Sequence, residues 1–358
     1  MTDDRMMRGY SGHSHDPGRY PTPVIELDGA PVSVSVDIDA VLWTCDLRGG
    51  ECTSRPLDLD AAGPDDAWYL ENDYWDEGDD EYGRRKIVIR ADNIAQRMTV
   101  SRLDGRPVVV TGGDRFDFSF EDDYDSSGGI VRVWDLRTGN RVGTVMVGHG
   151  LGVCSLATVP SERGPLVVSS SEEGKLLAWA MATGEPVAEL EGGYNGEMAA
   201  ALVDGRPVAV TGGDDTFLQV WDIRGGEQIG EDLNGIEPCV RAIAITELAG
   251  RAVVVAGGDD AALHVWDLAT QDPIGSPMTG HTEGIERLGI ATIAGRTVAV
   301  TGSPGDIRVW DLARGEQVGD PLTGHHLQTV TEIAGTPAAV VQGSGGTLRL
   351  WDLTLAAR

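Results

Sequence analysis

The run RPVAVTGGDDTFLQVWDIRGGE, from Arg206 to Glu227, recurs along this chain and limits what it can fold into. It reads as two short strands, PVAVTG and TFLQVWD, joined by a tight Gly-Gly-Asp-Asp turn. A strand pair cannot bury both of its faces alone, so copies must stack on one another. The other clear copies are Pro107–Gly139, Ala252–Thr270, Thr297–Glu316 and Ala338–Leu353.

Two landmarks count the copies. One is a glycine in the turn before the apolar strand: Gly29, Gly105, Gly164, Gly205, Gly250, Gly295 and Gly335. The other is a tryptophan, followed by Asp in most copies, at the end of the next strand: Trp134, Trp179, Trp221, Trp266, Trp310 and Trp351. Counting 16 residues from Gly29 lands on Cys45, in a segment CDLRGGE that superposes on WDIRGGE at Trp221. Cys45 therefore replaces the tryptophan of the first copy, and there are seven repeats.

The unit resembles the WD-repeat family. The last five tryptophans are separated by 42, 45, 44 and 41 residues, and Gly148-His149, Gly280-His281 and Gly324-His325 resemble the family's Gly-His signature. The resemblance implies an all-β fold: a seven-bladed WD40-type β-propeller with four antiparallel strands per blade, one domain over residues 1–358. It also implies hydrogen bonds linking a His, a Ser or Thr, an Asp and the Trp within a blade. The hydroxyl position is filled by Ser35, Thr111, Ser170, Thr211 and Thr301, with Ala256 and Val341 elsewhere. Asp39, Asp215 and Asp260 fill the acid, and the histidines are His13, His149, His281 and His325. On this count no blade holds all four. After Trp351 only seven residues remain, so a strand near Arg5–Gly12 is expected to supply the outer strand of the last blade and close the ring.

Formal charge is -29, with 57 acidic against 28 basic residues. Such a surface repels nucleic acid and anionic lipid, so neither is an expected partner. No apolar run is long enough for a membrane span or export signal, and the expected location is the cytoplasm of a bacterial cell, the protein being monomeric on its own. Cys45, Cys52, Cys154 and Cys239 lack metal-ligand pairing and read as reduced thiols. A Cys45–Cys52 pair facing across a hairpin would matter only in an oxidising compartment.

Two insertions break the period, at about 58–97 and 114–129. A hidden eighth blade competes with the first, but its extra thirty or so residues fall short of a unit. Asp60–Glu81 carries ten acidic residues interleaved with aromatics. The candidate partner-binding residues there are Trp68, Tyr69, Asp73, Tyr74, Trp75, Asp76, Asp79 and Asp80. The second insertion adds Phe116, Phe118, Phe120, Glu121, Asp122, Asp123 and Tyr124. Both connections are expected on one face of neighbouring blades, giving an acidic, aromatic patch suited to a basic peptide or protein segment. The competing readings are a solvated loop whose rings pack on their own blade, self-pairing with Arg84–Lys86, and a calcium ion on the carboxylates from Asp76 to Glu81.

No nucleophile elbow, zinc motif or phosphate loop is present, and the TGGD glycines read as turn glycines between antiparallel strands. His13, His15 and Asp16 coincide with the Gly-His landmark, which favours a structural role over a metal. The expectation is a non-catalytic protein-interaction scaffold with no cofactor, no metal and no enzymatic activity. The alternative is an enzyme or small-ligand binder using the channel mouth.

Overall fold

The computed structural model describes residues 22–36, 40–57, 97–114, 128–191, 196–213, 216–343 and 348–356. These form seven antiparallel sheets in a ring, a seven-bladed β-propeller whose only helical element among the described residues is the 3-10 turn Leu353–Leu355. The first blade runs outward through Val24–Leu27, Ala30–Val36, Val41–Asp46 and Cys52–Pro56, and the second through Arg97–Leu103, Arg106–Asp114, Gly129–Asp135 and Arg141–Val147. The innermost strands of the remaining blades are Val153–Val159, Glu197–Val203, Val240–Leu248, Arg287–Ile293 and His325–Ile333. Innermost strands pack in ring order, and Val24–Leu27 contacts both its neighbour Arg97–Leu103 and the last-blade strand His325–Ile333, so the ring is closed. The last sheet has three strands among the described residues. The expected closing strand near Arg5–Gly12 lies outside them, as do most of both insertions.

The landmark glycines are hairpin glycines. Asp28-Gly29, Asp104-Gly105, Asp204-Gly205, Ala249-Gly250, Ala294-Gly295 and Ala334-Gly335 each have two successive positive φ values, near 50° and near 78°. That is the two-residue type I′ turn, whose twist matches that of the flanking strands. The apolar strands read as inner from sequence are second in each blade. They are buried because sheet neighbours flank both edges and adjacent blades cover both faces.

Seven apolar clusters correspond to the seven blade interfaces. Trp221 of the fourth blade packs among Val159, Leu166, Val168 and Leu176 of the third, and Trp351 packs among Val298, Val300, Ile307 and Val309 of the sixth. Trp134, Trp179, Trp266 and Trp310 do the same against the first, second, fourth and fifth blades. At the seventh interface Cys45 and Leu47 meet Ile333, Ala338, Val340 and Leu350. Cys45 pairs with Ser33, the register at which Trp221 pairs with Ala209, so it does occupy the tryptophan position.

Two sequence expectations are corrected. Cys45 and Cys52 are register partners with Cα atoms 4.1 Å apart and form a disulfide, so they are not reduced thiols; Cys154 and Cys239 carry none. They occupy a non-hydrogen-bonded pair, the position where cross-strand side chains approach most closely. The TGGD glycines Gly112 and Gly212, and Gly257 of the equivalent AGGD, lie within strands. A Cβ on Gly112 would stand 2.8 Å from Cγ1 of Val153, so this glycine admits the neighbouring blade and makes no turn.

Trp221→Ala removes the largest side chain from the interface of the third and fourth blades and should cost about 3–5 kcal/mol, read as a lower denaturation midpoint. An unchanged midpoint would contradict the interface. Ala294 holds φ 49° at an exposed turn position. Ala294→Asn should stabilise by about 0.5–1 kcal/mol, because asparagine tolerates that conformation and alanine does not.

Candidate functional site at the channel mouth

One arrangement in the structure imitates the hydroxyl–imidazole–carboxylate set of hydrolases. In the sixth blade Trp310 Nε1 donates to Thr301 Oγ1 at 2.7 Å, and Thr301 Oγ1 lies 2.6 Å from His281 Nε2. His281 Nδ1 lies 2.5 Å from Asp306 Oδ1 and 3.0 Å from Ser303 Oγ. The ionised Asp306 carboxylate can only accept, so Nδ1 carries the proton of the neutral imidazole and donates to Asp306, and Nε2 accepts the Thr301 proton while the Thr301 oxygen accepts from tryptophan. Thr301 is fully buried. This hydroxyl faces a tryptophan in place of solvent, and the linkage ties the strands of the blade together.

This chain corrects the expectation that no blade holds all four groups. The acid is Asp306, which opens the third strand four residues before Trp310, where Asp215 and Asp260 stand six before theirs. Burial raises the Asp306 carboxyl pKa, but bonds from Ser303, His281 and Arg308 outweigh it and the net shift is downward. Burial also lowers His281, against the opposing pull of Asp306.

The other blades keep fragments of the network. Trp134 donates to Thr111 at 2.9 Å and Trp221 to Thr211 at 3.0 Å. In the third blade Trp179 donates at 3.2 Å to Ser169, and His149 Nε2 lies 2.7 Å from the same oxygen. The serine expected there was Ser170. Ser169 is two residues beyond Val167, the register partner of Trp179, and strand alternation turns Ser170 to the opposite face. His149 Nδ1 is buried without a partner. Asp260 bonds His264 at 2.7 Å on its own hairpin, and His325 bonds the Thr323 carbonyl at 3.0 Å. Asp39, Asp215, His13, His15 and Asp16 lie outside the described residues.

So do all the candidate partner-binding residues: Trp68, Tyr69, Asp73, Tyr74, Trp75, Asp76, Asp79, Asp80, Phe116, Phe118, Phe120, Glu121, Asp122, Asp123 and Tyr124. The strands that bound them are described. The first insertion runs from the end of Cys52–Pro56 to the start of Arg97–Leu103, and the second from the end of Arg106–Asp114 to the start of Gly129–Asp135. In an antiparallel blade those ends share one face, opposite the type I′ turns.

On that face the starts of the innermost strands surround a cavity of about 560 Å³ in the ring's centre. Arg97, Glu197 and Arg287 of the second, fourth and sixth blades occupy one register, paired with Gly112, Gly212 and Gly302. Between them the innermost strands of the third, fifth and seventh blades are bulged at Cys154, Arg241 and Gln328. A bulge re-aims the extra residue, and here it brings Arg241 and Gln328 to the cavity wall. Arg241 holds Asp259 through two bonds, Nε–Oδ1 at 3.0 Å and Nη2–Oδ2 at 3.1 Å, and this bonding lowers the Asp259 carboxyl pKa. Burial raises the Glu197 carboxyl, against the lowering influence of Arg97, Arg287 and Arg241. Gln328 donates Nε2 to Gln342 at 3.1 Å, while its Oε1 is buried without a partner.

None of these mouth residues was singled out from sequence. A signal existed: Arg97, Glu197 and Arg287 each stand eight residues before a landmark glycine.

The chain matches no protein-family model and no curated protein sequence. Among the described residues no helix is long and apolar enough to cross a membrane.

The histidine networks make stability depend on pH. His149 is pushed down to about 4, by burial first and then by Lys175. A folded-state pKa below the unfolded value of about 6.5 means that protonation favours unfolding, so this stability is present above pH 6.5 and is lost as pH falls towards 4. At pH 5 the loss from His149 should be about 2 kcal/mol relative to pH 7. Denaturation of the wild type and His149→Gln at both pH values checks it: the variant should lose less on acidification, and equal losses would refute the assignment.

Proposed function

We propose that the chain is a WD-repeat-type scaffold, without catalysis, that binds a basic peptide or protein segment through its two acidic, aromatic insertions. The observation that carries this reading is the common face: both insertions are rooted on neighbouring blades, on the side where the channel opens. A rigid ring holds its loop roots at fixed separation, so two insertions can act as one surface without an ordering cost in the framework. The sequences of those insertions supply aromatic area and carboxylate orientation, the pairing that anchors charged partners.

The WD-repeat assignment is supported by the Trp310–Thr301–His281–Asp306 linkage, the set of groups that the resemblance implies. The absence of catalysis is supported by how that set is used. Its hydroxyl is buried and already bonded to tryptophan, so the imidazole–carboxylate pair serves the framework.

The test replaces Asp60–Glu81 with a short Gly-Ser linker, after confirming that both proteins melt alike. Arrays of Lys/Arg-rich and matched neutral peptides are then probed with each. The wild type should retain basic peptides in a manner that weakens as salt rises, and the replacement should lose at least tenfold in affinity. Equal retention by both proteins would refute the insertion as the binding element.

A further inference from the structure

The seam between the first and last blades is built differently from the other blade interfaces. Each of those buries a tryptophan, whereas the largest members of the seam cluster are Leu47, Ile333, Leu348 and Leu350, with Cys45 in the tryptophan's register. Ser35, two residues beyond the register partner of Cys45, keeps the hydroxyl position that Thr211 supplies to Trp221. Both sulfurs of the disulfide belong to the seam. Cys45 is buried inside the cluster, and Cys52 packs against it half-buried, next to the exposed turn residues Arg48, Gly49, Gly50 and Glu51. The bond is not placed as a staple between blades. Its ends are seven residues apart on strands already paired, so it removes less freedom from the unfolded chain than a crosslink from blade to blade would. It is placed as a sensor, with one sulfur open to an attacking thiol and the other in the packing that closes the ring.

We infer that Cys45–Cys52 is a redox latch on the ring's seam: oxidised, it holds the outer hairpin of the first blade against the last blade, and reduction by a dithiol loosens this seam while the other interfaces stay closed. The half-exposed sulfur sets the order of events. A thiolate of the reductant attacks Sγ of Cys52, the S–S bond breaks, and its electron pair leaves on Sγ of Cys45, which takes up a proton. The reductant's second thiolate then displaces Cys52 from the mixed disulfide. The reductant ends as a disulfide, and the chain gains two electrons and two protons as two thiols. The outer strand Cys52–Pro56 then rests on ladder bonds and the Thr44–Thr53 hydroxyl contact at 2.8 Å, with Thr53, Ser54 and Pro56 exposed. Fraying of that strand uncovers Cys45 and Leu47, the surface on which Ile333, Val340 and Leu350 pack. At the other interfaces an indole does the fastening, and thiols do not act on it. The latch uses no residue of the insertions, so it stands or falls separately from partner binding there.

The experiment is hydrogen exchange of the full chain, read by mass spectrometry after treatment with oxidised glutathione and again after dithiothreitol, with alkylation reporting which of the four cysteines are free. After oxidation only Cys154 and Cys239 should be alkylated, and after reduction all four. Reduction should speed exchange about tenfold in Val41–Pro56 and in His325–Gly343 across the seam, leave Arg206–Gly212 and Arg251–Gly258 unchanged, and lower Tm by several degrees, all reversed on reoxidation. The double variant Cys45→Trp with Cys52→Ser should exchange like the oxidised wild type under both conditions. If it does not fold, Cys45→Ser with Cys52→Ser decides, since it should behave like the reduced wild type whether or not dithiothreitol is present. Four free thiols after oxidation, or full reduction with unchanged exchange at the seam, overturns the latch. Equal acceleration in all seven blades also overturns it, because the bond would then be a general staple.

Discussion

Each blade of this protein has two apolar faces, and the whole structure depends on covering both. A four-stranded sheet with valine on either side has no stable existence in water, so every blade is a lid for the next. The tryptophan at the end of the third strand fastens that lid. Its indole lies in the cluster of the preceding blade, and in four blades its N–H reaches back to a hydroxyl on its own second strand. Burying an indole without that hydroxyl leaves a donor unpaired, which is why the Ser/Thr position matters beyond its volume.

The same constraint makes the seventh interface different. Consecutive blades are joined by the chain itself, whereas the last and first meet only through packing among the described residues. There Cys45 stands where the others have tryptophan, and a disulfide to Cys52 ties the third and outer strands of the first blade where they meet Ile333 and Leu350. A local crosslink of this kind holds the first blade's surface in shape for the last. It replaces the bulk and hydrogen bond of an indole with a covalent restraint that keeps the hairpin from fraying.

The repeat, the blade count, the turn glycines and the cysteine at the tryptophan position were legible because each is a period or a fixed offset. What escaped was decided by a one-residue register or by contact between blades. Ser169 and Ser170 look alike in sequence, yet strand alternation sends them to opposite faces. Asp306 was overlooked because the tight turn Ser303–Asp306 moves the acid two residues along the chain while its carboxylate still reaches His281. Gly112 read as a turn glycine because turns and close strand approach both demand a missing side chain, and sequence does not separate the two demands. At the channel mouth Arg97, Glu197, Arg241, Arg287 and Gln328 come from five blades, and nothing local to any one strand announces that they meet.

The location of that mouth follows from the topology that builds the ring. Innermost strands begin on the face where blades connect and end on the face of type I′ turns. On the turn face six blades reverse between their first two strands in two residues whose φ values admit almost nothing except Gly, Asn, Asp or a strained Ala, which leaves those turns no room to grow. On the other face the links between blades and between middle strands are free to lengthen without disturbing the clusters. Insertions, bulges and the charged starts of the innermost strands therefore gather on one side for a single steric reason. Variation in this propeller is therefore gathered at the face where the blades are linked, while the type I′ turns hold the opposite face.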